Sequence, residues 1–134
     1  MYDKFEKQMK STGVVLDRLS ELVDYEELSP IEKDALLRRF EICFEVMWRC
    51  ANEYLHHYHY LYEASPKKTI RMFREIGIFN DEEMKKASDM TDDRNSIYEV
   101  YDEELANKLI EKIYDYEKLM KKWYNSMKNV TIHG

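Results

Sequence analysis

Glycine and proline are scarce in this chain, three and two in 134 residues. So few turn formers exclude a fold of many short strands and tight hairpins, and favour long helices. Cysteine is too rare for a disulfide framework: Cys43 and Cys50 stand seven residues apart in a stretch of helical periodicity. That spacing separates them by about 10 Å along a helix axis, too far for a disulfide. No apolar run approaches the roughly 20 residues that a bilayer-spanning helix needs, and the N-terminal MYDKFEKQMK lacks the apolar segment of a signal peptide. A cytoplasmic protein without membrane contact is expected. Basic excess is also missing. The net charge of −6 argues against a general nucleic-acid-binding surface, because phosphate neutralisation supplies most non-specific affinity.

Hydrophobic residues make up 44% of the chain and charged residues 36%. This suffices for one core and is too short for two ordinary domains, so residues 1–134 read as a single domain. Phe5, Met9, Leu16, Leu19 and Val23 recur at helical spacing and predict a first amphipathic helix over 2–24, slightly weakened by Gly13. Ser29-Pro30-Ile31-Glu32 is a capping box with proline at the first helical position, where its missing N–H costs nothing. A long second helix follows, with an apolar stripe of Leu37, Phe40, Phe44, Met47, Trp48, Ala51, Leu55 and Tyr58 running to about Tyr62.

Ser65-Pro66 opens a short third helix, with Ile70, Phe73 and Ile76 inward and Gly77 as its stop. Asn80-Asp81-Glu82-Glu83 caps a fourth that runs to about Ile97. Asp102 caps a fifth, with the stripe Leu105, Leu109, Ile113, Tyr116, Met120, Trp123 and Met127. The expected fold is all-α, an antiparallel four-helix up-and-down bundle with a short extra helix.

Four features bear on chemistry. Lys67, Arg71 and Arg74, with Lys68 beside them, form a basic stripe on the third helix, read as a solvated face rather than a nucleic-acid track. In HHYHY, His56 and His59 share a face without a nearby carboxylate or thiolate to complete a metal site, so an aromatic-rich helix end is expected and no metal or cofactor. Eleven tyrosines, clustered around Tyr54–Tyr62 and Tyr114–Tyr124, suit partly buried packing or a homodimer seam.

The fourth feature is DDRNSIYEVYD, residues 92–102. On a continuous helix Glu99 would sit about 140° round the axis from Arg94, and the neighbours of Arg94 one turn away are Met90, Thr91, Ile97 and Tyr98, none of them a carboxylate. The β-branched and aromatic run that follows ends the helix near Ile97. Arg94 therefore needs a non-local partner: Glu99 across the turn, a symmetry mate or a ligand phosphate. In the purely structural reading, Arg94–Glu99 locks the turn and Tyr101 packs against Ala106.

The second helix also contains Arg39-Phe40-Glu41-Ile42-Cys43-Phe44-Glu45-Val46-Met47-Trp48, which resembles the RFExxFExxW signature of the HEPN-superfamily nucleotidyltransferase substrate-binding proteins. Ser65-Pro66, Gly77, Asp93-Arg94-Asn95 and Tyr101-Asp102 follow in the order of that family, over about residues 31–124. The resemblance implies a HEPN-like, dimer-forming bundle that partners a minimal nucleotidyltransferase. In related toxin–antitoxin pairs the HEPN subunit is a metal-independent ribonuclease with an Arg-x4-His-x-Tyr motif, silenced by AMP transfer to the motif tyrosine.

Carried over, the resemblance makes Arg94 and Asn95 the nucleotide- or RNA-phosphate-binding residues and Tyr101 the AMP acceptor, while Glu99 takes the place of the histidine. Histidine titrates near 6.5 and serves both proton roles of RNA cleavage, whereas glutamate near 4.3 is a base weaker by about 2 units and adds negative charge beside an anionic substrate. A binding subunit is therefore expected in preference to a ribonuclease toxin using Arg94 and Glu99 as catalytic residues.

Overall fold

The computed structural model describes residues 2–97 and 102–133, with side chains over 4–97 and 102–129. Five helices follow one another: α1 (Tyr2–Val23), α2 (Pro30–His59), α3 (Pro66–Glu75), α4 (Asp81–Ser96) and α5 (Glu103–His133). Each expected start signal is in use. The Ser29 and Asn80 side chains accept from the backbone N–H groups of Glu32 and Glu83, and both glutamates bond back to the cap backbone. Ser65 accepts from the N–H of Lys68, and Asp102 from those of Glu104 and Leu105. Gly77, just beyond α3, has φ of 84°, the left-handed conformation that glycine adopts without a Cβ penalty.

Side-chain contacts fix the helix directions. Lys33 meets Asn107 and Phe40 stacks on Tyr116, so α2 and α5 run parallel. Ser20 donates to Glu117 while Tyr124 reaches the Met9 carbonyl, so α1 runs against α5. Lys122 meets Glu83 and Tyr116 meets Asp93, so α4 also runs against α5. This is the up-and-down bundle, with α3 crossing beside the C-terminal half of α2, where Phe73 packs on Tyr54, Phe79 and Trp123. Gly13 has a reason in this packing: an added Cβ would lie 2.8 Å from the Tyr124 hydroxyl, so the absent side chain makes room for that ring.

Three expectations about the elements need correction. The second helix stops at His59, short of Tyr62, because Tyr60 adopts the left-handed conformation at φ 57°. Asn52 then holds the chain alongside the helix, its amide bonding both the N–H and the carbonyl of Glu63. On α2 it is Leu36 that is fully buried, with Leu37 only half-buried. Leu105 is 60% exposed, because the fifth helix enters the core only from Leu109 onward.

Both cysteines are free and buried; burial above all pushes the Cys43 thiol up to about 12 and the Cys50 thiol up to about 11. No helix among the described residues is long and apolar enough to cross a membrane.

Trp123 is completely buried, with Phe73 and Phe79 ring centroids at 5.5 and 5.2 Å. Trp123→Ala is expected to cost about 3–5 kcal/mol of stability, whereas Ile31→Ala, at a position 82% exposed, should change it by less than about 0.5 kcal/mol. Urea unfolding of both variants checks this.

Candidate functional site

Arg94 lies in the last turn of α4, whose final residues point back towards the middle of α2. Its partner is Glu45. Nη1 of Arg94 donates to Oε2 of Glu45 at 2.8 Å, Nε donates to Oδ1 of Asn95 at 3.0 Å, and the guanidinium lies over the Phe44 ring at 5.0 Å. Only 16% of the Arg94 side chain is exposed. The non-local partner that the sequence required is thus a carboxylate 49 residues away, which local spacing did not suggest. The signal lay inside RFExxFExxW: Phe44 and Glu45 are adjacent on α2, and both contact the one arginine. Glu99 and Tyr101, the other two residues of the motif, lie outside the described residues, as does the proposed packing of Tyr101 on Ala106.

Glu45 is itself held from several sides. Nε1 of Trp48 donates to Oε2 at 3.0 Å, and Nε of Arg49 donates to Oε1 at 2.9 Å. Burial alone would raise its pKa; the hydrogen bonds from Trp48, Arg94 and Arg49 together outweigh that and hold the carboxyl below its ordinary value. Glu45 therefore stays ionised at neutral pH.

Asp93, next in the chain, accepts from Lys112 at 3.4 Å and from the Tyr116 hydroxyl. Burial first, and the bond to Asp93 second, hold Tyr116 well above the ordinary phenol range, so it is a fixed donor. Asp93 also borders an open groove of about 670 Å³ with Leu37, Ile97, Leu105, Ala106 and Leu109 as its apolar side chains. Asn95 is exposed; its carbonyl oxygen accepts from Arg94, which leaves its amide NH2 to donate to a ligand.

The remaining candidates resolve into packing. Lys67 pairs with Asp92 at 2.7 Å and Arg74 with Asp81 at 2.6 Å, both at the surface, and Lys67, Lys68 and Arg71 are exposed, so the basic stripe of α3 is a solvated face that carries two ion pairs to α4. His57 stacks on Phe5 at 5.8 Å and His56 packs on Tyr62 at 4.3 Å, which makes HHYHY an aromatic cluster. Among the described residues, no group of three His, Cys, Asp or Glu could hold a metal ion. The tyrosines divide: Tyr54 and Tyr116 are buried, while Tyr60 and Tyr62 face solvent.

Residues 3–129 match the family described as nucleotidyltransferase substrate binding protein like, and the chain belongs to it. A protein of Thermus thermophilus with a solved crystal structure is 38% identical, with a TM-score of 0.83 over 87% of this chain and 98% of that one. The fold is shared with a chain of the complex of a tri-AMPylated Shewanella oneidensis HEPN toxin with MNT antitoxin, at a TM-score of 0.71 and 11% identity, over 96% of this chain and 99% of that one. It is also shared with a chain of a MntA–HpeT toxin–antitoxin mutant, at a TM-score of 0.76 and 11% identity, over 95% and 98%. Comparison with curated proteins found no match.

The folded-state pKa of Glu45 lies below its unfolded value, so its stabilisation is present above the ordinary carboxylate range and is lost as pH falls through the folded value. Glu45→Gln is expected to lower stability by about 1–2 kcal/mol at pH 7, and the gap from wild type should narrow towards pH 3. Thermal unfolding of both proteins across that range tests the assignment; a constant gap would reject it.

Proposed function

We propose that this chain is the HEPN subunit of a pair with a minimal nucleotidyltransferase, that Arg94 and Asn95 bind the phosphate of a nucleotide or RNA, and that Tyr101 is the acceptor for a transferred AMP. One observation carries the reading: the Arg94 guanidinium is fixed by Glu45, Asn95 and Phe44, while its Nη2 end has no partner among the described residues. A guanidinium oriented before the ligand arrives loses little freedom on binding a phosphate.

The partner is inferred from the chain's family and from fold relatives in toxin–antitoxin complexes, one of them described as a tri-AMPylated HEPN toxin with MNT antitoxin. In the transfer, the Tyr101 hydroxyl oxygen forms a bond to the α-phosphorus of ATP and the α–β anhydride bond breaks. Pyrophosphate leaves and the phenolic proton passes to solvent. ATP and its magnesium belong to the nucleotidyltransferase. The reading stops at binding and modification, because glutamate at 99 supplies neither the matched base nor the acid that RNA cleavage needs at pH 7.

A homodimer is part of the same reading. Ile42, one turn before Glu45, and Leu105, in the groove beside Asp93, are exposed apolar side chains on the flanks of the site, as a covered face requires. Sedimentation equilibrium should return twice the chain mass of 16.4 kDa. A monomer at micromolar concentration would remove the dimer cleft from the reading.

Incubation with the neighbouring nucleotidyltransferase, ATP and magnesium should add one or more AMP groups, located at Tyr101 by peptide mass spectrometry and absent from Tyr101→Phe. No adduct, with the partner active on another substrate, would overturn the acceptor assignment.

A further inference from the structure

Arg49 stands outside every motif named above, immediately after the RFExxFExxW stretch. Yet it shares a carboxylate with Arg94. Oε1 of Glu45 accepts from Nε of Arg49 at 2.9 Å, and Oε2 accepts from Nη1 of Arg94 at 2.8 Å. The two guanidiniums are therefore separated by no more than one carboxylate and two hydrogen bonds. Each also lies over an aromatic ring, Arg49 over Trp48 at 5.1 Å and Arg94 over Phe44 at 5.0 Å. Phe44, Glu45, Trp48 and Arg49 lie within two turns of α2, so one short helical stretch supplies both platforms, the spacer and one of the two cations.

The charges favour an anion. Two arginines and one glutamate leave this group at +1, and the adjacent carboxylates are occupied: Asp92 by Lys67, and Asp93 by Lys112 and Tyr116. Both Nη groups of Arg49 and Nη2 of Arg94 have no partner among the described residues. Stability alone does not account for Arg49. Its side chain is 63% exposed, and an i,i+4 pair on a helix surface contributes little.

We infer that Arg49 is the second cation of an anion site, in which Arg94 and Arg49 together hold one phosphate group of a nucleotide or of an RNA backbone. Glu45 is the positioning residue that sets their separation. A tetrahedral phosphate offers oxygens to both forks at once, and arginine on an aromatic face is poised for such bidentate contacts. This inference rests on the reading of Arg94 as phosphate-binding and extends it to a residue that no motif names.

The test is titration of the purified protein with a labelled single-stranded oligoribonucleotide by fluorescence anisotropy, and with AMP by calorimetry. Wild type, Arg49→Ala, Arg49→Lys and Arg94→Ala are compared, and the oligoribonucleotide titrations are repeated over a range of salt. Arg49→Ala should weaken binding about tenfold, with a salt dependence shallower by about 0.7 for the oligoribonucleotide and a thermal midpoint close to wild type. Arg49→Lys should keep the salt dependence and lose part of the affinity. Dependence on Arg49 seen with the oligoribonucleotide alone supports an RNA phosphate; dependence seen with AMP supports a nucleotide.

If Arg94→Ala weakens binding while Arg49→Ala matches wild type in affinity and salt dependence, this inference is overturned and the role of Arg94 stands. If wild type binds neither ligand, both fall.

Discussion

The second helix is the constraint on which the rest of the structure depends. It packs against each of the other four helices, and for that its thirty residues must bury more than one face. Leu36, Phe40, Cys43, Phe44, Met47, Cys50, Ala51, Tyr54 and Leu55 cover those faces, which leaves only a narrow strip for charge. Glu45 and Arg49 lie on that strip, Trp48 beside them. The site therefore rides on the most firmly held element of the protein, and a catalytic or binding arginine elsewhere need only reach it. Arg94 does so from the end of α4, where a helix terminus would otherwise be free to fray.

The energetics of that reach differ from those of an ordinary surface ion pair. Exposed pairs contribute little, because both side chains lose freedom and water screens the attraction. Here one partner is mostly buried, its ring contact limits the guanidinium to one plane, and the carboxylate is tied to the indole of Trp48 as well. Most of the ordering cost is thus met within the folded protein, so the phosphate contact proposed for Arg94 would need little further ordering. The cost is electrostatic: the carboxylate that orients Arg94 also cancels one positive charge. A second cation on the same carboxylate restores the balance, and Arg49 is placed to supply it.

Much of the architecture was legible because the information is local. The caps Ser29, Ser65, Asn80 and Asp102 mark four helix starts through hydrogen bonds made within three residues. The end of α2 was not legible, because a tyrosine takes the left-handed cap position and the return is held by Asn52, eleven residues from Glu63. The confusion of Leu36 with Leu37 has a similar origin: adjacent leucines satisfy the same period, and only the packing of the whole bundle decides between them. The Arg94–Glu45 pair was hidden for the strongest reason, since it joins two helices far apart in sequence. What the sequence did show was a vacancy, an arginine with no carboxylate one turn away. Glu99 and Tyr101 lie outside the described residues, and the acceptor role proposed for Tyr101 rests on the motif alone.

The anion site proposed for Arg94 and Arg49, in a chain of net charge −6, would demand a particular mode of binding. At physiological ionic strength the field of a charge fades over about 8 Å, so the +1 group at Glu45 cannot draw a nucleic acid from a distance against its acidic surroundings. Attraction begins only when a phosphate is already close. Lys67 and Lys112 matter here without touching a ligand, because they neutralise Asp92 and Asp93 on either side of the approach. Binding of this kind selects one phosphate in one place rather than a length of backbone. A nucleotidyltransferase partner would place such a phosphate by its own contacts, and the weak field of this chain then becomes an advantage, since unrelated nucleic acid is not held while the site waits.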